Sequence, residues 1–245
     1  MPQPVAVVTG SSRGIGRAIA LKLAVEGYSV VINYLSQSEQ AEELRLEISK
    51  LNGTAITVAA DVSNSQEATR LIDVAVQEFG SIDLLVNNAG INRDQLILRM
   101  SDEDWTNILN TNLNAAFYCS RAALKHMVRK KSGNLIHISS VVGMSGNAGQ
   151  SHYAAAKAAL LGFSASIAKE YGMRGIRSNV IAPGFIQSDM TEALSPAMKQ
   201  QIFSGISLGR FGTPEDVAEV VAFIASERAA YITGQSLRID GGLTL

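Results

Sequence analysis

The sequence holds a single cysteine, Cys119, among 245 residues. One thiol excludes an internal disulfide framework and fits a reducing compartment; within its apolar helical pattern it reads as a packing residue. Net charge is as scarce: 21 basic against 22 acidic side chains leave −1, no field to draw nucleic acid or an anionic membrane. Charged residues make up 18% and hydrophobic ones 47%, which argues against disorder and supplies a sizeable core. No apolar run approaches the roughly 18 residues of a membrane span. There are five prolines, and no proline- or serine-rich linker, charge block or repeat divides the chain, so one domain over 1–245 is expected. The N-terminus enters an apolar run almost at once, without a basic leader, and a cytoplasmic protein is the expectation. Histidines are few, and His126 and His137 share no ligand spacing with cysteine or carboxylate clusters, so no metal is expected.

What is present is an alternation. Short apolar runs at Val5–Thr9, Val30–Tyr34, Ala55–Ala60, Leu84–Asn87, Leu135–Ser139, Ser178–Ala182 and Ser236–Ile239 are separated by longer amphipathic stretches. Several runs are apolar at successive positions, as parallel strands covered on both faces require. Ser36/Glu39 and Ser63/Gln66 have capping-box spacing, and Thr213-Pro214-Glu215-Asp216 places proline at a first helical position. The expectation is an α/β fold: a single doubly wound parallel sheet of Rossmann type with helices on both faces. Ligands bind such sheets beyond the carboxyl ends of the strands, where the small and polar residues of this chain collect.

The first of these turns reads Thr9-Gly10-Ser11-Ser12-Arg13-Gly14-Ile15-Gly16. Its glycines permit a tight turn, and the helix starting near Gly14 offers free N–H groups to a pyrophosphate. The spacing departs from G-x-G-x-x-G, so the turn alone is a weak signal. The second strand ends Ile32-Asn33-Tyr34 without the acid that holds a ribose 2′-hydroxyl. Arg13, with Asn33 nearby, can meet a 2′-phosphate instead, which points to NADP(H) over NAD(H). Asp61 and Val62 lie where an adenine would rest, although Asp61 also suits a turn or helix cap. Asn88, Ala89 and Gly90 follow the fourth strand and allow close approach of a ligand. Asn112 interrupts an apolar helix pattern from Trp105 to Met127, so it either satisfies backbone or orders a water.

Tyr153 and Lys157 are four apart, one helical turn, with three alanines between. An ammonium about 4 Å from the phenol supplies roughly 4 kcal/mol at an effective dielectric near 20. That is enough to lower a tyrosine by about three units, making Tyr153 a general acid near neutral pH. The alternative is an aromatic and a basic residue sharing an exposed face. His152 abuts Tyr153, but adjacent helical residues point apart, which argues against a catalytic role for it.

Together Thr9-Gly10…Gly14…Gly16, Asn87-Asn88-Ala89-Gly90, Asn112, Ser140, Tyr153…Lys157 and Pro183-Gly184 resemble the classical short-chain dehydrogenase/reductase family from end to end. The resemblance implies a catalytic tetrad of Asn112, Ser140, Tyr153 and Lys157. Tyr153 would be the acid, Ser140 would hold the carbonyl, Lys157 would also bond the nicotinamide ribose, and Asn112 would hold a relay water.

Ala89-Gly90-Ile91-Asn92-Arg93-Asp94, Ser140-Val141-Val142-Gly143, Gly146-Asn147-Ala148-Gly149-Gln150 and Ala182-Pro183-Gly184-Phe185-Ile186-Gln187-Ser188-Asp189-Met190-Thr191 are similar to the β-ketoacyl-acyl carrier protein reductases of fatty-acid synthesis. So is the C-terminal Tyr231-Ile232-Thr233-Gly234…Asp240-Gly241-Gly242. This implies carboxamide contacts from Ile186 and Ser188, and cofactor contacts from Pro183 and Gly184. It also implies docking of an acidic carrier protein on Lys131 and Arg174. Lys131 stands where the family has arginine, keeping charge but losing the planar fork, with Arg129 and Lys130 able to compensate. The family association implies a homotetramer built on the helices of residues 101–129 and 151–171 and the last strand. Rival expectations are a reductase of acetoacetyl-CoA, a sugar or a xenobiotic ketone, and a non-catalytic dinucleotide-binding scaffold.

Overall fold

The structure, a computed structural model, describes residues 3–187 and 196–244. Seven parallel strands form one sheet in the order β3-β2-β1-β4-β5-β6-β7. These are β1 (Val5–Val8), β2 (Ser29–Tyr34), β3 (Thr54–Ala59), β4 (Leu84–Asn87), β5 (Gly133–Ile138), β6 (Ile176–Pro183) and β7 (Ser236–Ile239). The expected alternation is therefore found run by run. The chain moves outward from β1 to β3, then returns to place β4 on the other side of β1. The switch between β1 and β4 opens a crevice at their carboxyl ends.

Both faces of the sheet are covered. Side chains alternate along β1, so Ala6 and Val8 face one helical layer and Val7 the other. The first layer holds α1 (Gly14–Val25), α2 (Ser38–Lys50) and, later in the chain, α9 (Pro214–Ala225), packed through Ile19, Leu23, Leu44, Ile48, Val217 and Val221. The second holds α3 (Ser65–Phe79), α5 (Ala115–Lys130) and α7 (Ser151–Tyr171). Cys119 is fully buried in this layer, and burial pushes its thiol up to about 12. The remaining helices are α4 (Asp102–Leu109), the four-residue α6 (Val142–Ser145) and α8 (Pro196–Gly205). Among the described residues no helix is long and apolar enough to cross a membrane.

Helix starts follow local chemistry, not always at the expected residue. Thr213 caps α9 as expected, accepting the Asp216 N–H while the Asp216 carboxylate accepts the Thr213 N–H, with Pro214 at the first helical position. For α3 the cap is Asn64, accepting from Gln66 and Glu67, and not Ser63, whose hydroxyl donates to Asp61. The carboxamide reaches the two N–H groups directly, worth about 1 kcal/mol. Ser36 does not cap α2: the residue before that helix is Gln37, which makes no side-chain cap bond. The stretch from Trp105 to Met127 is likewise not one regular helix. α4 and α5 are joined by a π-turn at Asn110–Asn114.

Candidate active site

Five strand ends meet at the β1/β4 crevice. After β1, Gly10 and Gly14 take positive φ (60° and 55°), which glycine adopts without strain. A Cβ on Gly10 would stand 3.0 Å from Ala89 Cα, and one on Gly16 2.4 Å from Gly10 O and 2.5 Å from Asn88 Nδ2. The turn is thus locked against the loop after β4. Thr9 Oγ1 accepts from the N–H groups of Asn88 (2.9 Å) and Ala89 (3.0 Å), while Asn88 Nδ2 donates to Thr9 O and Gly10 O. The Thr9 hydroxyl, whose task no local sequence signal gives, aligns the two loops.

The Asn33 carboxamide is bonded within the protein. Its Oδ1 accepts from Gly10 N (3.1 Å), and its Nδ2 donates to Tyr34 O, Val58 O and Ala60 O. Both ends of the carboxamide are spent in shaping the glycine turn, and the side chain is buried. Arg13 stands exposed at the start of α1, where a phosphate can meet it. Ser12 Oγ donates to Gln37 Oε1 at 3.4 Å, and Ile15 packs against the first core layer. Asp61 is a turn residue: Oδ1 accepts from the N–H and hydroxyl of Ser63, with Val62 buried beside it.

Beyond β5, the Ser140 side chain lies beside the Tyr153 phenol and favours its ionised form. Lys157 is buried, its Nζ donates to Ile138 O (2.8 Å), and it lies 5.6 Å from the Tyr153 ring centroid. No carboxylate pairs with it among the described residues. Burial therefore pulls the Lys157 ammonium down to about 8. Ser139 Oγ donates to Lys157 O (2.8 Å), tying α7 to β5, a contact the sequence did not suggest.

The expected acidification of Tyr153 is not found. Burial, the larger influence, raises its phenol above the ordinary value, and the neighbouring Ser140 side chain opposes it. An ammonium itself weakened by burial and engaged by Ile138 O does not offset the loss of water around a phenolate. Tyr153 consequently keeps its proton at neutral pH, the state a proton donor needs.

Asn112 sits in the π-turn, buried, with Nδ2 donating to Ile91 O and Ile108 O at 2.9 Å each. Its Oδ1 is buried without a partner among the described residues. A Cβ on Gly90 would lie 2.5 Å from that oxygen and 3.4 Å from Lys157 Nζ. Glycine at 10, 16 and 90, an amide oxygen without a partner and a buried lysine without a carboxylate among the described residues are features an extended dinucleotide fits.

Pro183 ends β6, and its carbonyl accepts from Val141 N. A Cβ on Gly184 would strike Asp240 Cβ at 2.8 Å, which holds this turn against the end of β7. Ile186 is buried, with its side chain against Gly212, leaving its backbone to any ligand contact. Ser188 lies outside the described residues. Among the described residues no cluster of three or more His, Cys, Asp or Glu is placed to hold a metal.

Lys131 and Arg174 adjoin each other but at the opposite end of the sheet. Lys131 follows α5 and Arg174 precedes β6, and a Cβ on Gly175 would stand 2.5 Å from Lys131 O. Arg129 lines a shallow cavity there with His126 and Lys130. Lys130 is ion-paired to Asp83.

Comparison with known proteins fits this geometry. Residues 10–244 match a family model described as enoyl-(acyl carrier protein) reductase. A 3-oxoacyl-[acyl-carrier-protein] reductase FabG of Staphylococcus aureus is 48% identical over 238 residues, 97% of each chain. The chain belongs to the short-chain dehydrogenase/reductase family. A Staphylococcus epidermidis protein of the same name is 45% identical over 238 residues, 97% of this chain and 98% of its own. A 3-oxoacyl-[acyl-carrier-protein] reductase of Synechocystis is 48% identical over 242 residues, 98% and 97% of the two chains. Membership of the short-chain dehydrogenase/reductase family carries with it a nicotinamide dinucleotide cofactor and oxidoreductase chemistry.

Proposed function

We propose that this protein is an NADPH-dependent 3-oxoacyl-[acyl-carrier-protein] reductase, forming 3-hydroxyacyl thioesters in fatty-acid elongation. The observation that supports the reading is the Ser140 side chain beside the Tyr153 phenol, with buried Lys157 one turn on, its Nζ donating to Ile138 O, at the carboxyl end of β5. The relatives' names supply the substrate class. Reduced nicotinamide, when bound, supplies hydride to the carbonyl carbon. Charge then builds on the carbonyl oxygen, where Ser140 and Tyr153 donate hydrogen bonds and Tyr153 gives up its proton. Lys157 Nζ bonds the ribose, and Asn112 Oδ1 accepts from a relay water that restores the proton. Gly10, Gly14, Gly16 and Asn88–Gly90 hold the pyrophosphate and nearby backbone; Arg13 takes the 2′-phosphate and so selects NADP(H).

The carrier protein docks on Lys131 and Arg174 in this reading, and the enzyme is a cytoplasmic homotetramer. β5 is six residues long; at about 3.3 Å per residue, the docking edge of one chain stands roughly 20 Å from its own Tyr153.

Steady-state oxidation of NADPH tests the proposal, with acetoacetyl-carrier protein, acetoacetyl-CoA, a plain ketone and a crotonyl thioester in parallel. Turnover highest on the carrier-linked ketone is expected. Preference for the crotonyl thioester would replace ketone by enoyl reduction, and cofactor binding with no turnover would leave a scaffold.

A further inference from the structure

We propose that His152 is a positioning residue for Tyr153: its imidazole satisfies the Tyr153 backbone N–H and so fixes where the phenol stands. The first N–H groups of a helix have no intrahelical acceptor. α7 begins at Ser151, and the residue before it, Gln150, makes no side-chain cap bond. Its side chain is spent elsewhere, donating to Asp94 and accepting from Asn147. The carbonyl one turn back, Gly149 O, accepts from Gln95 N across the loops. Tyr153 N–H is left to His152 Nδ1, which accepts it at 2.9 Å. Ala154 N–H already has Gln150 O at 2.7 Å, so the imidazole bond completes the turn that carries the phenol.

Acceptance at Nδ1 places the proton of the neutral ring on Nε2. That donor has no partner among the described residues, although the ring is fully buried. An orphaned donor in the interior is a cost that an apolar side chain of similar size would not carry. The task at Nδ1 explains why an imidazole is tolerated there.

His152 touches neither substrate nor cofactor in this account; it acts through the Tyr153 main chain. The kinetic arm of the test rests on the carbonyl-reductase reading, and the spectroscopic arm does not. His152→Leu keeps the volume and removes the acceptor, whereas His152→Asn restores a short side chain that accepts N–H bonds near helix starts. Displacement of the phenol by a fraction of an ångström to an ångström is expected to lower kcat about 10- to 100-fold in His152→Leu. KM for NADPH and ketone should stay within about twofold, and His152→Asn should recover most of kcat, as positioning without substrate contact requires. Unchanged kcat in His152→Leu, or equal losses in both variants, would overturn the proposal. Independently of any substrate, the ¹⁵N spectrum of the wild-type imidazole should show Nδ1 unprotonated and Nε2 protonated. A proton on Nδ1 would overturn it even if neither variant folds.

Discussion

Gly90 and Asn112 leave each other no room: a single methyl group on the glycine would lie 2.5 Å from the buried Oδ1 of the asparagine. The same methyl would stand 3.4 Å from Lys157 Nζ. Three residues far apart in sequence thus border one small space, which the proposed relay uses. Gly90→Ala is expected to displace the Asn112 carboxamide and lower kcat about 10²-fold with the fold retained. Circular dichroism and steady-state kinetics on one preparation check this; full activity would show that the space is not used.

Removal of the Tyr153 hydroxyl alone should lower turnover about 10²- to 10⁴-fold, the usual contribution of a positioned acid. Tyr153→Phe is expected to bind NADPH within a few-fold of wild type, measured by fluorescence titration. Undiminished reduction by this variant would remove the phenol from the mechanism.

Lys157 carries a stability signature. Its folded pKa, about 8, lies below the ordinary 10.5, so the buried ammonium is a penalty at pH 7. Between those values the unfolded chain holds a proton that the folded chain has released, and stability rises with pH across the window. A 2.5-unit depression corresponds to about 3 kcal/mol. Lys157→Met should therefore unfold at higher denaturant than unliganded wild type at pH 7, with the gap closing toward pH 10. A methionine variant less stable at pH 7 would contradict this.

His137 gives the acid counterpart. It is fully buried, with Nδ1 3.1 Å from Asn87 Nδ2 and Nε2 3.3 Å from Ser178 Oγ, and burial, with the Lys157 charge second, lowers it from 6.5 to about 3. The unfolded chain gains a proton near pH 6.5 that the folded chain refuses until about 3, so stability is lost as pH falls through that interval. Acidification from pH 7 to 4.5 should cost the wild type roughly 2–3 kcal/mol from this group. His137→Gln, less stable at pH 7, should lose less over that range. Parallel pH dependences would refute the assignment.

Arg13 is the remaining basis for choosing between dinucleotides, since Asn33 is committed to Gly10. Charge-assisted bonds to a phosphate contribute about 1.5–3 kcal/mol. Arg13→Ala should therefore lower kcat/KM for NADPH about 10- to 100-fold and leave NADH nearly unchanged. Equal losses on both cofactors would place the arginine outside the 2′-phosphate site.

Strand runs such as Val5–Val8 and Leu84–Asn87 are readable because parallel strands buried on both faces demand apolar residues at every position. Thr213-Pro214 is readable because a capping box is contained within four residues. The cap of α3 was misplaced by one residue, since Ser63 and Asn64 both suit the position and only the turn at Asp61 assigns the serine elsewhere. The π-turn at Asn112 has no local signal at all; the carboxamide reaching Ile91 O and Ile108 O marks it.

By itself the sequence determined which elements form, their order along the chain and the residue types at each strand end, because those depend on periodicity and short-range chemistry. Tertiary structure alone decided what each polar group faces. It turned Asn33 inward to Gly10, 23 residues away, and set Lys157 against Ile138 O with no acid beside it among the described residues. It also surrounded the Tyr153 phenol with enough protein to keep its proton on. The reason is physical: a side chain's ionisation and its hydrogen-bond partner are fixed by neighbours brought from distant parts of the chain and by the water they exclude.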